Sequence, residues 1–184
     1  MGRIINSTFV SLDGVINHMP AWHFDYTDEE HDRINEELLL AADGLLMGRR
    51  TYEIYAAAWP GRDGALADRI NSMQKYVAST TLERAEWANT RVVGDLVEAV
   101  AKLRSEPGDV LIHGFGPVTH TLLRHDLLDV LHLWVNPRFA GTGTIEDTLV
   151  REGTNARMQL LGARTLGSGV VILSYRAEGA TDPR

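Results

Sequence analysis

Twice in this chain a short apolar run stops at glycine and a helix-forming segment begins. Leu45-Leu46-Met47 runs into Gly48-Arg49-Arg50-Thr51-Tyr52-Glu53, and Val110-Leu111-Ile112 runs into His113-Gly114-Phe115-Gly116-Pro117. A helix N-terminus presents unpaired amides and a partial positive charge, and glycine lets the backbone come close to a ligand. Two such junctions in one sheet suit a dinucleotide or a phosphorylated cofactor. Arg49 and Arg50 add forked donors for phosphate oxygens, and Thr51 is placed to open the helix that follows. The plainer alternative is a pair of exposed arginines at a strand-to-helix turn.

The segments around these junctions alternate in the same way. Ile4 to Val10 is a β-branched, apolar strand ending in the turn Ser11-Leu12-Asp13-Gly14, and a long loop then passes through Asn17, His18 and Pro20. Thr27-Asp28-Glu29-Glu30 matches a capping box, and Ile34, Leu38 and Ala42 follow at helical spacing, which predicts a helix from about 28 to 42. Helices are also expected from Tyr52 to Trp59, along Leu66, Ile70 and Met73, after Asp95 along Leu96, Val100 and Leu103, and along Val118 and Leu122. Between them lie strands at Lys75 to Ser79 and at Val92-Val93. The chain then turns to strands alone: Asp129 to Asn136, Arg157 to Arg164 and Val170 to Arg176, the last two joined by Leu166-Gly167-Ser168-Gly169. Eight strands and about five helices, interleaved early and hairpin-like late, predict an α/β fold with one mixed sheet covered on both faces.

Length and charge narrow the function. At 184 residues and 44% hydrophobic, the chain reads as one domain, 1–184, with a core from about 2 to 177 and a tail at 178–184. The net charge of -7 and the lack of a Lys/Arg run argue against nucleic acid as a partner. Without cysteine there is no disulfide, thiolate metal site or cysteine nucleophile. No charged-then-apolar leader and no run of about 18 apolar residues is present, so a soluble, cytoplasmic protein is expected, without a membrane partner. The spacing also excludes the commonest nucleotide motifs. Leu12-Asp13-Gly14-Val15 follows the first strand where a Rossmann fold needs G-x-G-x-x-G, and no P-loop occurs.

Ser11-Leu12-Asp13-Gly14-Val15-Ile16, Leu46-Met47-Gly48-Arg49-Arg50-Thr51-Tyr52-Glu53 and Ile112-His113-Gly114-Phe115-Gly116 together resemble the dihydrofolate reductase superfamily. More closely, residues 2 to 177 are similar to the C-terminal reductase domain of the bifunctional riboflavin-biosynthesis deaminase-reductase and to stand-alone bacterial proteins built on it. The resemblance implies a dihydrofolate reductase-like fold with a central mixed eight-stranded sheet flanked by helices, and NADPH as cofactor. The implied reaction is hydride transfer to a small heterocyclic or sugar-derived C=N or C=O substrate, as in a 5-amino-6-(5-phosphoribosylamino)uracil reductase. Dihydrofolate reduction is one alternative; a nucleotide- or drug-binding module that kept the fold without turnover is another. Relatives of this type also imply a homodimer.

Site residues follow from the same resemblance. Gly48, Arg49, Arg50 and Thr51 match the element that holds the cofactor pyrophosphate. Ser79, Thr80 and Thr81 match the segment that meets the adenosine ribose and its 2′-phosphate, although no arginine stands immediately there. Gly114, Phe115, Gly116, Pro117, Val118 and Thr119 match the second glycine turn, where His113 and Phe115 depart from the smaller residues usual in the family. Val10, Ile16 and Asn17 match the strand and loop beside the nicotinamide. Asp32 is the nearest match to the catalytic carboxylate of the first helix, with Asp25, Asp28 and Glu36 as rivals and a solvated helix carboxylate as the bland reading of each. Asp13 is expected to shape its turn rather than donate a proton.

Other constellations are weaker. His18, His23 and His31, with Asp25 and Asp28, lie in one loop-and-helix region, but their spacing matches no His-x-x-x-His pair and no metal is expected. Trp22, Tyr52, Tyr55 and Trp59 suit either a pocket for a flat heterocycle or helix-face core packing. Trp134 is expected in the core or at a subunit interface.

Overall fold

The computed structural model describes residues 1–178. Eight strands form one sheet: β1 (Ile4–Val10), β2 (Gly44–Gly48), β3 (Gln74–Ala78), β4 (Thr90–Val93), β5 (Val110–His113), β6 (Val130–Val135), β7 (Met158–Thr165) and β8 (Val171–Ala177). Five α-helices accompany them: α1 (Glu29–Ala41), α2 (Arg49–Ala58), α3 (Ala65–Ser72), α4 (Leu96–Ser105) and α5 (Pro117–Arg124). The strand order is β4-β3-β2-β5-β1-β6-β8-β7. From β4 to β6 all pairs are parallel, and β8 runs antiparallel between β6 and β7.

The period-2 geometry of a strand explains why the central strands are apolar throughout. Leu45 and Met47 point into a cluster with Leu39 of α1, Tyr52 of α2 and Ile70 of α3, whereas Leu46 points to the opposite face with Val100 of α4 and Leu122 of α5. A strand buried on both sides has no position at which a polar residue is free of cost, so the exceptions are informative. Asn6 is fully buried in β1, and Lys75 is fully buried in β3. Lys75 Nζ donates to the carbonyls of Ile70, Asn71 and Met73 at 3.0, 3.0 and 2.8 Å, so it satisfies acceptors at the C-terminal end of α3.

Two capping expectations are corrected. The Thr27–Glu30 capping box does not form: Asp28 is the cap of α1 and its carboxylate accepts from the His31 amide at 2.7 Å, while Thr27 Oγ1 donates to Phe24 O and Glu30 pairs with Arg164 at 2.5 Å. A short carboxylate directly before the helix reaches the first-turn amides and opposes their partial positive charge, so it outcompetes the hydroxyl one residue earlier. Thr51 opens no helix either. α2 begins at Arg49 with Gly48 as its cap, which puts Thr51 inside the first turn. Elsewhere the local reading holds: Asp95 accepts from the Glu98 amide at 2.9 Å to start α4, and Leu166 to Gly169 turns β7 into β8. Trp134 is core, fully buried and donating to Ser7 Oγ at 3.0 Å.

Candidate active site

The C-terminal ends of β2 and β5 are neighbours, because Leu46 pairs with Ile112 in parallel register. Gly48 and Gly114 therefore follow side by side, and both helices that leave these strands begin at one edge of the sheet. A methyl group on Gly48 would lie 3.4 Å from Val118 Cγ2, so the first turn of α5 packs against the end of β2. Gly48 and Gly116 are the caps of α2 and α5, and neither helix has a side-chain cap, in contrast to the aspartates that cap α1 and α4. The first-turn amides of both helices are thus left without a side-chain acceptor of this kind.

The second glycine turn is pinned from β1. The Gly114 amide donates to Ser7 O at 3.0 Å, and Asn6 Nδ2 donates to Gly114 O at 2.6 Å and to Thr119 Oγ1 at 3.1 Å. Gly114 holds φ +79°, a left-handed conformation that favours glycine. Among the described residues nothing beyond the chain neighbours lies within 4 Å of the position a Cβ would take at Gly114 or at Gly116, so both leave open space over the turn. Asn6 was not anticipated, although an amide within the apolar run Ile4-Ile5-Asn6 was its signal. Thr119 is buried and Phe115 packs towards the α4 and α5 side, so these two support the turn from behind. Pro117 is exposed at the first position of α5.

Arg49 reaches further than its sequence neighbours suggest. Its Nε pairs with Glu53 at 2.7 Å, and its Nη1 donates to Thr81 Oγ1 at 2.9 Å across to the segment after β3. An arginine of α2 thus lies against the Ser79-Thr80-Thr81 segment, which carries none of its own. Ser79 Oγ accepts from the amides of Thr81 and Leu82 at 3.2 and 3.0 Å, which folds this segment into a turn with Thr80 and Thr81 exposed. Arg50 is exposed and Thr51 half-buried beside it.

On the other side of β5, the loop after Val10 is stitched to residues 140–148. Asp13 accepts from Ser11 Oγ and from the amides of Ala140 and Gly141 at 2.5, 2.8 and 2.9 Å, bonds that hold its carboxyl down at about 2. Asp13 is therefore a loop anchor, as its turn position suggested. Ile16 N donates to Asp147 O at 2.8 Å and Asn17 Nδ2 donates to Asp147 Oδ1 at 3.1 Å. Asp147 lies far away in sequence and was not foreseen.

Two imidazoles and one phenol near this edge are held neutral by burial. Tyr55 of α2 and Nδ1 of His113, the last residue of β5, share a hydrogen bond of 2.8 Å. Burial pushes the His113 imidazole down to about 4 and the Tyr55 phenol up to about 12. His23 stacks on Phe9 with ring centroids 4.1 Å apart, and its Nδ1 lies 3.2 Å from Asn136 Oδ1. Asn136 Nδ2 donates to Trp134 O at 3.1 Å, so its oxygen faces His23, whose Nδ1 carries the proton. Burial holds His23 down at about 4. Asp32 is 75% exposed on α1, its carboxylate 3.1 Å from Nδ1 of the buried His31. His18 faces Asp147 at 3.5 Å, so the three histidines of this loop-and-helix region take three separate partners. Trp22 and Tyr52 are core residues, whereas Tyr55 and Trp59 are half-buried.

Residues 3–172 match the family model described as the RibD C-terminal domain. The chain belongs to the RibD C-terminal domain family. Among curated proteins it is similar to the uncharacterized protein YyaP of Bacillus subtilis (strain 168), 26% identical over 96% of both chains. Among solved structures it is similar to a candidate riboflavin biosynthesis protein from Shewanella sp. PV-4, with a TM-score of 0.75, 20% identity, and 96% of this chain and 99% of that one covered. RibD from Acinetobacter baumannii superposes with a TM-score of 0.63 at 13% identity, covering 97% of this chain but 58% of that longer one. These likenesses agree in fold with the RibD-type sheet described above. Among the described residues no helix is long and apolar enough to cross a membrane.

Proposed function

We propose that this RibD C-terminal domain protein is an NADPH-dependent reductase of the riboflavin-biosynthesis type. The observation that carries the reading is the pair of uncapped helix N-termini at Gly48 and Gly116, brought to one sheet edge by the neighbouring strands β2 and β5. The open space over Gly114 and Gly116 and the exposed Arg49 beside them fit a pyrophosphate. The contact from Arg49 to Thr81 supports a 2′-phosphate on the adenosine ribose, and so NADPH over NADH. Bound there, the cofactor supplies a hydride, and the protein supplies position and electrostatics. Val10 at the end of β1 and Ile16 and Asn17 on the loop after it would flank the nicotinamide; hydrogen bonds of Asp13 and Asp147 that fasten this loop to residues 140–148 support a fixed position for it. Asp32 is the carboxylate proposed to meet the substrate.

The substrate proposed is a small heterocycle of the 5-amino-6-(5-phosphoribosylamino)uracil class. Quenching of tryptophan fluorescence by NADPH, followed by NADPH oxidation with that compound and with dihydrofolate, tests the reading. Saturable quenching and oxidation with the aminouracil are expected. Quenching with neither substrate oxidised would favour a nucleotide-binding module, and no quenching would remove the cofactor assignment altogether. A homodimer is part of the proposal. Leu160 and Leu161 are 54% and 47% exposed on the edge strand β7, an apolar rim that a second copy would cover. Sedimentation velocity of the free chain tests it.

A further inference from the structure

Behind the second glycine turn, on the α5 face of the sheet, lies a cavity of about 370 Å³. It shares only Phe115 with the proposed cofactor edge and is lined besides by His120, Leu131, Leu149, Arg151 and Met158. The volume falls in the range of small-molecule sites, and the lining is mainly apolar. Its polar groups converge. The His120 side chain is buried, with Phe115 edge-on to it at 4.8 Å, and its Nδ1 lies 3.1 Å from Thr154 Oγ1, a residue that also lines the cavity. If the threonine hydroxyl donates to Nδ1, the proton of the neutral imidazole sits on Nε2, which has no partner among the described residues. Burial first, then the positive charges of Arg151 and Arg124, hold this imidazole below its usual range, so the ring stays neutral. The same two arginines give the region a positive potential, and the Arg151 guanidinium has no ion pair among the described residues.

We propose that this cavity is a second ligand site, selective for a small monocarboxylate with an aromatic or short aliphatic body. The body would lie on Leu131 and Met158 against Phe115, and the carboxylate would accept from Arg151 and from His120 Nε2. Charge and shape both argue for an anion: a cation would meet Arg151 in the wall, and a neutral hydrocarbon would leave the imidazole donor unused. The site stands independently of the reductase reading, because no residue of the cofactor edge other than Phe115 lines it.

The test uses 1-naphthoate, with octanoate as an aliphatic probe, titrated into the full chain by calorimetry. Naphthoate is expected to bind once per chain, with 1-naphthalenemethanol about tenfold weaker and 1-naphthylmethylamine not binding. Arg151→Ala should remove the preference for the acid over the alcohol. Ala156→Trp, which places an indole at an exposed position lining the cavity, should block naphthoate, octanoate and the alcohol alike. Both variants should keep the wild-type melting temperature and NADPH quenching. The proposal is overturned if neither carboxylate saturates, if acid and alcohol bind alike, or if both variants bind naphthoate as the wild type does.

Discussion

Arg49 Nη1 donates to Thr81 Oγ1 at 2.9 Å, which ties the first turn of α2 to the exposed segment after β3. One side chain thereby lies between the proposed pyrophosphate edge and the proposed 2′-phosphate position. Arg49→Ala is expected to weaken NADPH binding by about tenfold, about 1.4 kcal/mol, near the lower end for a charge-assisted contact because the side chain is half exposed. NADH binding should weaken less, so the ratio of the two affinities falls. Equal losses for both cofactors, measured by fluorescence titration, would remove Arg49 from the 2′-phosphate.

Gly48 and Gly114 separate binding from folding. At Gly48, with φ −75°, alanine meets no strain and only an ordinary 3.4 Å contact with Val118. Gly48→Ala should therefore keep the melting temperature while its methyl group intrudes on the cofactor. Gly114→Ala places a side chain at φ +79° and should cost about 1–2 kcal/mol of stability as well as cofactor affinity. Thermal melts beside NADPH titrations check both. A Gly114→Ala protein as stable as the wild type would contradict the conformation assigned here.

Lys75 Nζ also lies 4.5 Å from the centre of the Trp87 ring, so its charge is held by an indole face and three carbonyls without a carboxylate. Burial pushes its ammonium down to about 8. Lys75→Met fits the volume but removes the donor to the Ile70 and Met73 carbonyls and one of two to that of Asn71, with an expected loss of about 2–4 kcal/mol. Urea denaturation followed by tryptophan fluorescence measures it, and an unchanged midpoint would show that the ammonium adds nothing to the end of α3.

Acid should unfold this protein earlier than its carboxylates alone would require. His23 and His113 are held near 4 in the folded chain by burial, whereas in the unfolded chain they protonate near 6.5. Between these values the unfolded state binds more protons, so stability is fully present above about 6.5 and is lost as pH falls towards 4. Each histidine contributes on the order of 3 kcal/mol across that window. His23→Phe keeps the stack on Phe9 and should flatten the dependence of urea midpoints on pH. A slope equal to that of the wild type would rule out His23 as a source.

The elements were legible because their signals are local. Runs such as Leu45 to Met47 and helix faces such as Leu96, Val100 and Leu103 show their periods within a few residues, and all eight strands lie where those periods placed them. Capping was less legible at Thr27-Asp28, where adjacent residues both suit the role and only backbone geometry at Asp28 selects one. The glycines of the candidate site were visible for the same local reason, whereas the side chains that hold them were not. Asn6 acts on Gly114 from 108 residues away, and Asp147 acts on Asn17 from 130.

By itself, then, the sequence determined which residues form strands and helices, where glycine opens the backbone, and which faces are apolar. Tertiary structure decided that β5 inserts between β2 and β1, which alone sets Gly48 beside Gly114, and that Arg49 spends its second donor on Thr81 and Tyr55 its hydroxyl on His113. Local pattern fixes the side on which a residue emerges. Strand order and the choice of hydrogen-bond partner depend on the packing of the whole sheet, where burial makes every unpaired polar group costly and leaves few arrangements that satisfy them together.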